Sequence, residues 1–580
     1  MYLNLLISID EIYLTFILLI LVFVLILSIK TNTNIIKFKM VPFLTYFAIF
    51  LNFMYALTST YIVYNIYIYD IVNITNLFEQ YTLISPDFFS IIINNIWFEN
   101  LNISFLFFDL FIAEQFIFDF DYENINDYII KITITLGVSF WFIIYYNFIN
   151  NKYTKKENTN YEPIILYLLI TYLLLKLIIS KDMLMFVVTM ESQNLALCII
   201  CAYTILDKGV SKIEAALKLY ITSAASSGFL LLGCSLIYGI TGSINFIEIA
   251  LQLKSRSFEQ VLYLLENIIQ NINFDKNTII FYYSTISIND KITILLFIVG
   301  ILCFFVSIAF KIGQVPFHLW MSDVYNGGNV IFVSYLAIFP KIAIGYFFLK
   351  LIIFYFSYNF LLLKILFISG FLTIIIGILG AMYQKKIKSF IAYSSIANLG
   401  YLILLSSTAT IINDNLLLTI GILFIINYAI IMLQIFINLI SNIYTINFNT
   451  NKQIKEIVNL NELSGYWKIN KINCIFLIVS FLSLIGIPPI IGFLIKFYIS
   501  IILISHNLIL VSWCFLILGV FSTFYYLKII KILIMDNINK NLFLINGDIK
   551  NKIIQLFITL LQTTLFFKPL IFIILYIILV

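Results

Sequence analysis

IVGILCFFVSIAFKIGQVPFHLWMSDVYNGGNVIFVSYLAIFPKIAIGYFF, residues 298 to 348, decides how this chain is read. Two apolar runs, each close to the ~20 residues that cross a hydrocarbon core, carry one lysine apiece, Lys311 and Lys341. Gly313 and Pro316 follow Lys311 and break its helix. Pro340 precedes Lys341, removes a backbone hydrogen bond and frees a carbonyl one turn back, which invites water to the place where the charge lies. An ionisable side chain at mid-bilayer costs about 2.5 to 3.5 kcal/mol on insertion scales, so a membrane helix keeps one with a partner, in a wet cavity or for a task.

The same pattern extends outward. The 580 residues are 62% hydrophobic and 11% charged, with a mean hydropathy of +1.04, where a soluble domain carries about 25% charged residues. A soluble enzyme with an anchor is excluded. Apolar runs fall at about 10–29, 42–66, 128–149, 162–180, 182–205, 214–239, 293–315, 328–350, 358–382, 389–408, 412–445, 471–505, 509–535 and 553–580. They predict an all-α polytopic membrane protein with about 14 transmembrane helices. No basic region precedes the first run, and Asp10 and Glu11 interrupt the place of a cleavable signal, so no targeting peptide is expected. Abundant Phe and Tyr beside a single arginine, Arg256, fit A/T-rich codons and point to an organellar gene. The net charge of +5 is spread along loops and leaves no footprint for nucleic acid.

Lysines crowd the connections after odd-numbered runs, for example at 30–39, 152–156, 385–388, 452–471 and 528–552. The connections after even-numbered runs hold Lys131, Lys181, Lys254, Arg256, Lys276, Lys291, Lys350 and Lys364. By the positive-inside rule the first set faces the cytoplasm or matrix and both termini face the other side.

Besides Lys311 and Lys341, three more ionisable residues within apolar runs need explaining. Glu191 is about ten residues into its run. Lys218 follows Glu214 by four residues, so it forms either a helix-end ion pair or a membrane-depth pair with Glu191. Lys496 follows Pro488, Pro489 and Gly492 in GIPPIIGFLIKFYI, a second union of a broken helix with a lone amine. Lys176, near a run end, reads as a snorkelling side chain. Runs four to eight and nine to thirteen each hold five helices, with the broken, lysine-bearing one fourth in each. An odd number of crossings per repeat makes the repeats inverted, an arrangement suited to an ion or proton path.

The six cysteines sit in or at the ends of apolar runs. Cys198 and Cys201 form a C-x-x-C within one apolar helix, and with only His318 and His506 in the chain no metal, haem or iron–sulfur site is expected.

MESQNLAL (190–197), EAALKLYITSAASSGFLLLGCSLIYGITGSINF (214–246), KIGQVPFHLWMSDVYNGG (311–328), IKSFIAYSSIANLGY (387–401) and GIPPIIGFLIKFY (486–498) stand in the order found in one family. The chain resembles the antiporter-like membrane subunits of proton-pumping NADH:ubiquinone oxidoreductase, respiratory complex I, in their chain 2 branch; the P-F-H-x-W…D-V-Y wording separates that branch from chains 4 and 5 and from cation/proton antiporter subunits. The resemblance implies a proton path through Glu191, Lys218, Lys311, Lys341 and Lys496, supported by His318, Pro316, Pro340, Pro488, Pro489 and Asn398. Two departures stand out. Asn326, Gly327, Gly328 and Asn329 replace an acidic residue and prolines, and Asn398 stands where the family often has a histidine.

The resemblance further implies four segments: N-terminal helices with a divergent polar connection (1–160), a first antiporter-like repeat (161–355), a second (356–540) and a C-terminal helix (541–580). NADH, FMN, iron–sulfur clusters and ubiquinone are expected in partner subunits, and bound phospholipid is compatible with this chain. Expected partners are other membrane-arm subunits, including chain 4 and the small core chains, together with accessory subunits and membrane lipid. The mitochondrial inner membrane is the expected location, with a bacterial plasma membrane as the alternative. A free-standing cation/proton antiporter and a non-pumping scaffold are the rival readings.

Overall fold

The computed structural model describes residues 44–56, 122–150, 162–203, 210–253, 288–356, 360–408, 414–441, 444–447, 453–456, 458–488, 490–536, 542–543 and 549–567. In chain order its helices are α1 (Leu44–Ala56), α2 (Tyr122–Asn150), α3 (Glu162–Ile179), α4 (Met183–Ala202), α5 (Val210–Thr241), α6 (Phe246–Leu253), α7 (Ile288–Ile312), α8 (Leu319–Gly327) and α9 (Val330–Lys350), extended by a π turn over Leu351–Tyr355. There follow α10 (Phe360–Tyr383), α11 (Ile387–Ser406), α12 (Asp414–Ser441), α13 (Tyr466–Ile469), α14 (Lys471–Ile485), α15 (Ile491–Ser505), α16 (Ile509–Ile534) and α17 (Ile549–Phe567). Ten of the described helices are long and apolar enough to cross a membrane. The expected run 10–29, most of the stretches 69–127 and 251–290, and Pro489 lie outside the described residues.

Thirteen of the expected runs carry a described helix, with two instructive changes. The run 471–505 is two half-helices, α14 and α15, separated where Gly486 takes a left-handed conformation (φ 83°) and closes α14. The run 293–315 ends at Ile312, and the crossing continues through a second half-helix, α8, whose polar residues hide it from hydropathy. Each group of five crossings therefore has its broken helix fourth.

Backbone hydrogen bonds between connections settle the parity of the crossings. Met183 N–H reaches Ile244 O at 3.0 Å and Phe246 N–H reaches Lys181 O at 3.1 Å, joining the connections after the expected fourth and sixth runs. Leu460 N–H to Lys385 O (2.8 Å) and Ile387 N–H to Val458 O (3.0 Å) join those after the ninth and eleventh. A small antiparallel sheet, order β2-β1-β3, brings together β1 (Tyr444–Asn447) and β2 (Gln453–Glu456) with β3 (Leu542–Phe543), from the connections after the eleventh and thirteenth runs. Even meets even and odd meets odd, as alternation across a bilayer requires.

α9 is buried along its whole length, and α11 nearly so. α5 and α16 instead turn large apolar side chains such as Leu217, Ile221, Trp513 and Phe524 outward, as lipid-facing helices do. Two lysines assigned above to connections prove to be interior. Lys131 lies within α2 over the Tyr128 ring, and Lys350 closes α9 with no exposed surface. Removing both from the lysine-poor set sharpens the asymmetry between the two faces.

Candidate functional site

The first break builds a polar pocket. Gly313 leaves α7 at φ 80°, where a side chain is strained and a Cβ would meet Met321 Cε at 2.2 Å. Gln314 donates through its amide to the Ser369 hydroxyl on α10. Trp320 then reaches back from α8 and donates to the Phe310 carbonyl at 2.9 Å, pinning the two half-helices together. Lys311 is thereby held at the break, where it lines a cavity inside the bundle. Pro316 lies in the link. His318 heads α8, buried, with Nδ1 lacking a protein partner, and its ring stands 6.3 Å from that of Tyr393.

Lys341 faces the same pocket from α9. Pro340 has no N–H to offer Leu336, four residues earlier, and Leu336 lines the cavity with Lys311, Trp320, Tyr325, Pro340 and Lys341. The cavity holds about 20 Å³ of water-sized space, enough for a single water, which needs roughly 10–15 Å³. Lys341 Nζ donates to Ser395 Oγ on α11 at 2.7 Å, touches Met321 Sδ at 3.4 Å and lies 5.4 Å from the Tyr325 ring. Among the described residues no carboxylate pairs with it.

The second break serves Lys496 differently. Its ammonium donates to the carbonyls of Leu484 (2.7 Å) and Ile485 (3.0 Å), the last residues of α14. A helix C-terminus leaves such carbonyls unpaired and carries partial negative charge. The half-helices approach so closely that a Cβ on Gly492 would lie 1.9 Å from the Ser483 carbonyl oxygen; Pro488 lies in the link between them. Lys496 also stands 5.8 Å from the Tyr401 ring.

α11 joins the two breaks. It carries Ser395 toward Lys341 and Tyr401 toward Lys496, while Asn398 donates to the Ser394 carbonyl of its own helix at 2.9 Å. Tyr325 and Tyr428 gather near Ser395, and Tyr526 near Asn398. The buried hydroxyls of Tyr325, Tyr401, Tyr428 and Tyr526 have no protein partner at hydrogen-bond geometry, and buried polar groups of that kind are met by ordered water. Ser395 and these tyrosines were not singled out from sequence. The paired serines in IKSFIAYSSIANLGY were the available signal.

The structure corrects one pairing. Lys218 does not pair with Glu191; it bridges Glu214 at 2.9 Å and Asp323 of α8 at 2.8 Å, with 42% of its side chain exposed. Glu191, half-buried on α4, lies within electrostatic range of Lys311 and beside Asn194. The helix-end reading of Lys218 holds because Glu214 lies one turn back, and α8 arrives on the same face. Cys198 and Cys201 are free thiols in α4.

A second charged site was invisible in the sequence. Asp127 of α2 and Lys350 of α9 form an ion pair at 2.8 Å with side chains 6% and 0% exposed, and Tyr346 donates to the same carboxylate at 2.6 Å. The partners are far apart in the chain, and each sits at the margin of an apolar run, where a charge reads as a loop residue.

The described geometry matches known proteins. The family model "NADH:quinone oxidoreductase/Mrp antiporter, TM" matches residues 180–526, and NADH-ubiquinone oxidoreductase chain 2 of Marchantia polymorpha is 33% identical over 416 residues, 72% of this chain and 76% of that one. The chain belongs to this family of antiporter-like membrane subunits. Family relatives extend to bacteria, where NADH-quinone oxidoreductase subunit N of Bartonella bacilliformis is 30% identical over 67% of this chain and 72% of its own length. The family fold recurs in respiratory complex I from Thermus thermophilus (TM-score 0.56, 20% identity, 80% of this chain and 90% of that one) and in the Mrp complex from Dietzia (0.60, 16%, 78% and 82%). The family match spans both breaks and all five of Glu191, Lys218, Lys311, Lys341 and Lys496, whereas Asp127 lies outside it.

Proposed function

We propose that this chain is a proton-translocating membrane subunit of an NADH:quinone oxidoreductase, in which Lys311, Lys341 and Lys496 pass protons through the bundle while redox chemistry proceeds in partner chains. The observation that carries the reading is the cavity shared by Lys311 and Lys341: a water there can accept a proton from one ammonium and deliver one to the other amine without net change. Ser395 extends the line: its hydroxyl accepts from Lys341 and donates to the Ala392 carbonyl at 2.7 Å, and rotation of that O–H away from Ala392 lets it donate onward. The orphan tyrosine hydroxyls supply water positions between Ser395 and Lys496. Glu191 supplies control at the other end. A carboxylate near Lys311 favours its ammonium form, and movement or neutralisation of that carboxylate frees the proton. Lys218, tied to Glu214 and Asp323, adjoins the axis through α8.

On this reading residues 161–355 and 356–540 act as two halves of one path. Chain 4, the small core chains and accessory subunits are its neighbours, and NADH, FMN, iron–sulfur clusters and ubiquinone bind elsewhere in the assembly. The mitochondrial inner membrane is the proposed location, a reading supported by the 33% identical NADH-ubiquinone oxidoreductase chain 2 of Marchantia polymorpha. The likeness to the Mrp complex is one of fold at 16% identity and favours no free-standing antiporter. Purifying the tagged chain from its membrane tests the reading. Quinone reduction by NADH, coupled to proton movement into vesicles, is expected to co-purify; a chain recovered alone and exchanging sodium for protons would contradict it.

A further inference from the structure

A second polar line lies away from the lysines, in α12, α14 and α17. Asn427, Gln434 and Asn438 fall on one face of α12, at spacings of seven and four residues, and Gln555 and Gln562 on one face of α17, at a spacing of seven. With Asn473 of α14 they make six amides, each at least nine-tenths buried. One bond joins two of these side chains, Gln555 donating to Asn438 Oδ1 at 2.9 Å, while Gln434 and Asn438 donate to the backbone carbonyls of Phe476 (3.0 Å) and Gln434 (3.2 Å).

These bonds leave much of the amides' capacity unmet. Asn427 Oδ1, Gln434 Oε1, Gln555 Oε1, and both polar atoms of Asn473 and of Gln562 are buried without a protein partner. Amides that served packing alone would saturate one another, because an unmatched buried polar atom bears its full desolvation penalty. Both directions along the line are informative. Asn473 and Gln555 lie within a turn of Lys471 and Lys552, at the lysine-rich end of the bundle. At the inner end Asn427 adjoins Tyr428, whose hydroxyl lies near Ser395, the acceptor of Lys341.

We propose that α12, α14 and α17 enclose a file of ordered waters that brings protons from the lysine-rich face to the Ser395–Lys341 site. This deepens the proposed function and rests on it. An amide cannot carry a proton; its oxygen and N–H orient neighbouring waters, and each water donates a proton to the next water and receives one from the water before it. The amides orient the file and Lys341 receives from it.

The test uses the intact complex in vesicles. Gln562→Cys and Gln434→Cys are treated with silver ion, a charged thiol reagent of about the size of a water molecule, with the unsubstituted complex as control for the native thiols. Modification from the lysine-rich face alone, with a several-fold loss of proton-coupled turnover, is expected. Gln562→Leu and Gln434→Leu are expected to assemble and to lose turnover to the same extent, since leucine closes the file. Unreactive cysteines, or leucine variants with full turnover, would overturn the proposal. Should a leucine variant fail to assemble, the smaller cysteine still decides. If the chain were no pump, the unsubstituted complex would lack coupled proton uptake whatever the labelling showed, so the two failures are distinguishable.

Discussion

Lys341 is held by a hydroxyl, a thioether and an aromatic face, and that environment makes Ser395 the most informative neighbour. Hydrogen bonds to charged groups are worth about 1.5–3 kcal/mol, so Ser395→Ala is expected to slow proton-coupled turnover about tenfold or more while assembly on a native gel stays normal. Ser395→Thr, keeping the hydroxyl, is expected to retain turnover; equal rates in both variants would remove the hydroxyl from the path. The Asp127–Lys350 pair has a different expected response. Removing one partner of a buried pair costs about 3–5 kcal/mol, whereas replacing both by apolar residues is often neutral. Asp127→Leu is therefore expected to reduce the amount of assembled complex, and Asp127→Leu with Lys350→Met to restore it, as read on native gels. Residues of the first kind were legible because Lys311, Lys341 and Lys496 interrupt apolar runs beside prolines or glycines. Ser395, Asp323 and Asp127 were not, because their importance comes from what the fold sets opposite them.

At the scale of elements, both broken helices were readable from glycine and proline, but the extent of each break was not. Hydropathy ended one crossing at residue 315 because α8 is polar, and it fused α14 with α15 because both halves are apolar. Close approach of those halves depends on Gly492. Gly492→Ala would drive a Cβ into the Ser483 carbonyl, separate α15 from α14 and withdraw Lys496 from the Leu484 and Ile485 carbonyls. Turnover is expected to fall sharply. Gly519→Ala in α16, where a Cβ would meet nothing within 4 Å, serves as the control and is expected to be silent. Matching turnover in the two variants would show that the half-helix contact does not position Lys496. That Glu191 lies near Lys311, while Lys218 pairs with Glu214 and Asp323, is likewise an element-scale result, since it depends on how α4 and α7 pack, and no spacing within either helix encodes that.

Across the whole molecule, connections pair odd with odd and even with even, as the lysine count anticipated. The lysine-rich set is expected on the matrix or cytoplasmic side. Cysteines placed in 385–388 are expected to react with impermeant reagents from that side, and reaction from the opposite side alone would invert the topology. The fold was largely readable because each crossing must satisfy its own backbone in lipid; the contacts along the proposed proton line were not, since they are made between helices of two repeats. The most direct test of that line is proton uptake by vesicles holding the assembled complex with Lys341→Ala or Lys341→Arg. Both variants are expected to assemble and to lose pumping together with coupled quinone reduction, because alanine removes the carrier and a guanidinium keeps its proton. Normal pumping by an assembled Lys341→Ala complex, or rescue by arginine, would contradict the account.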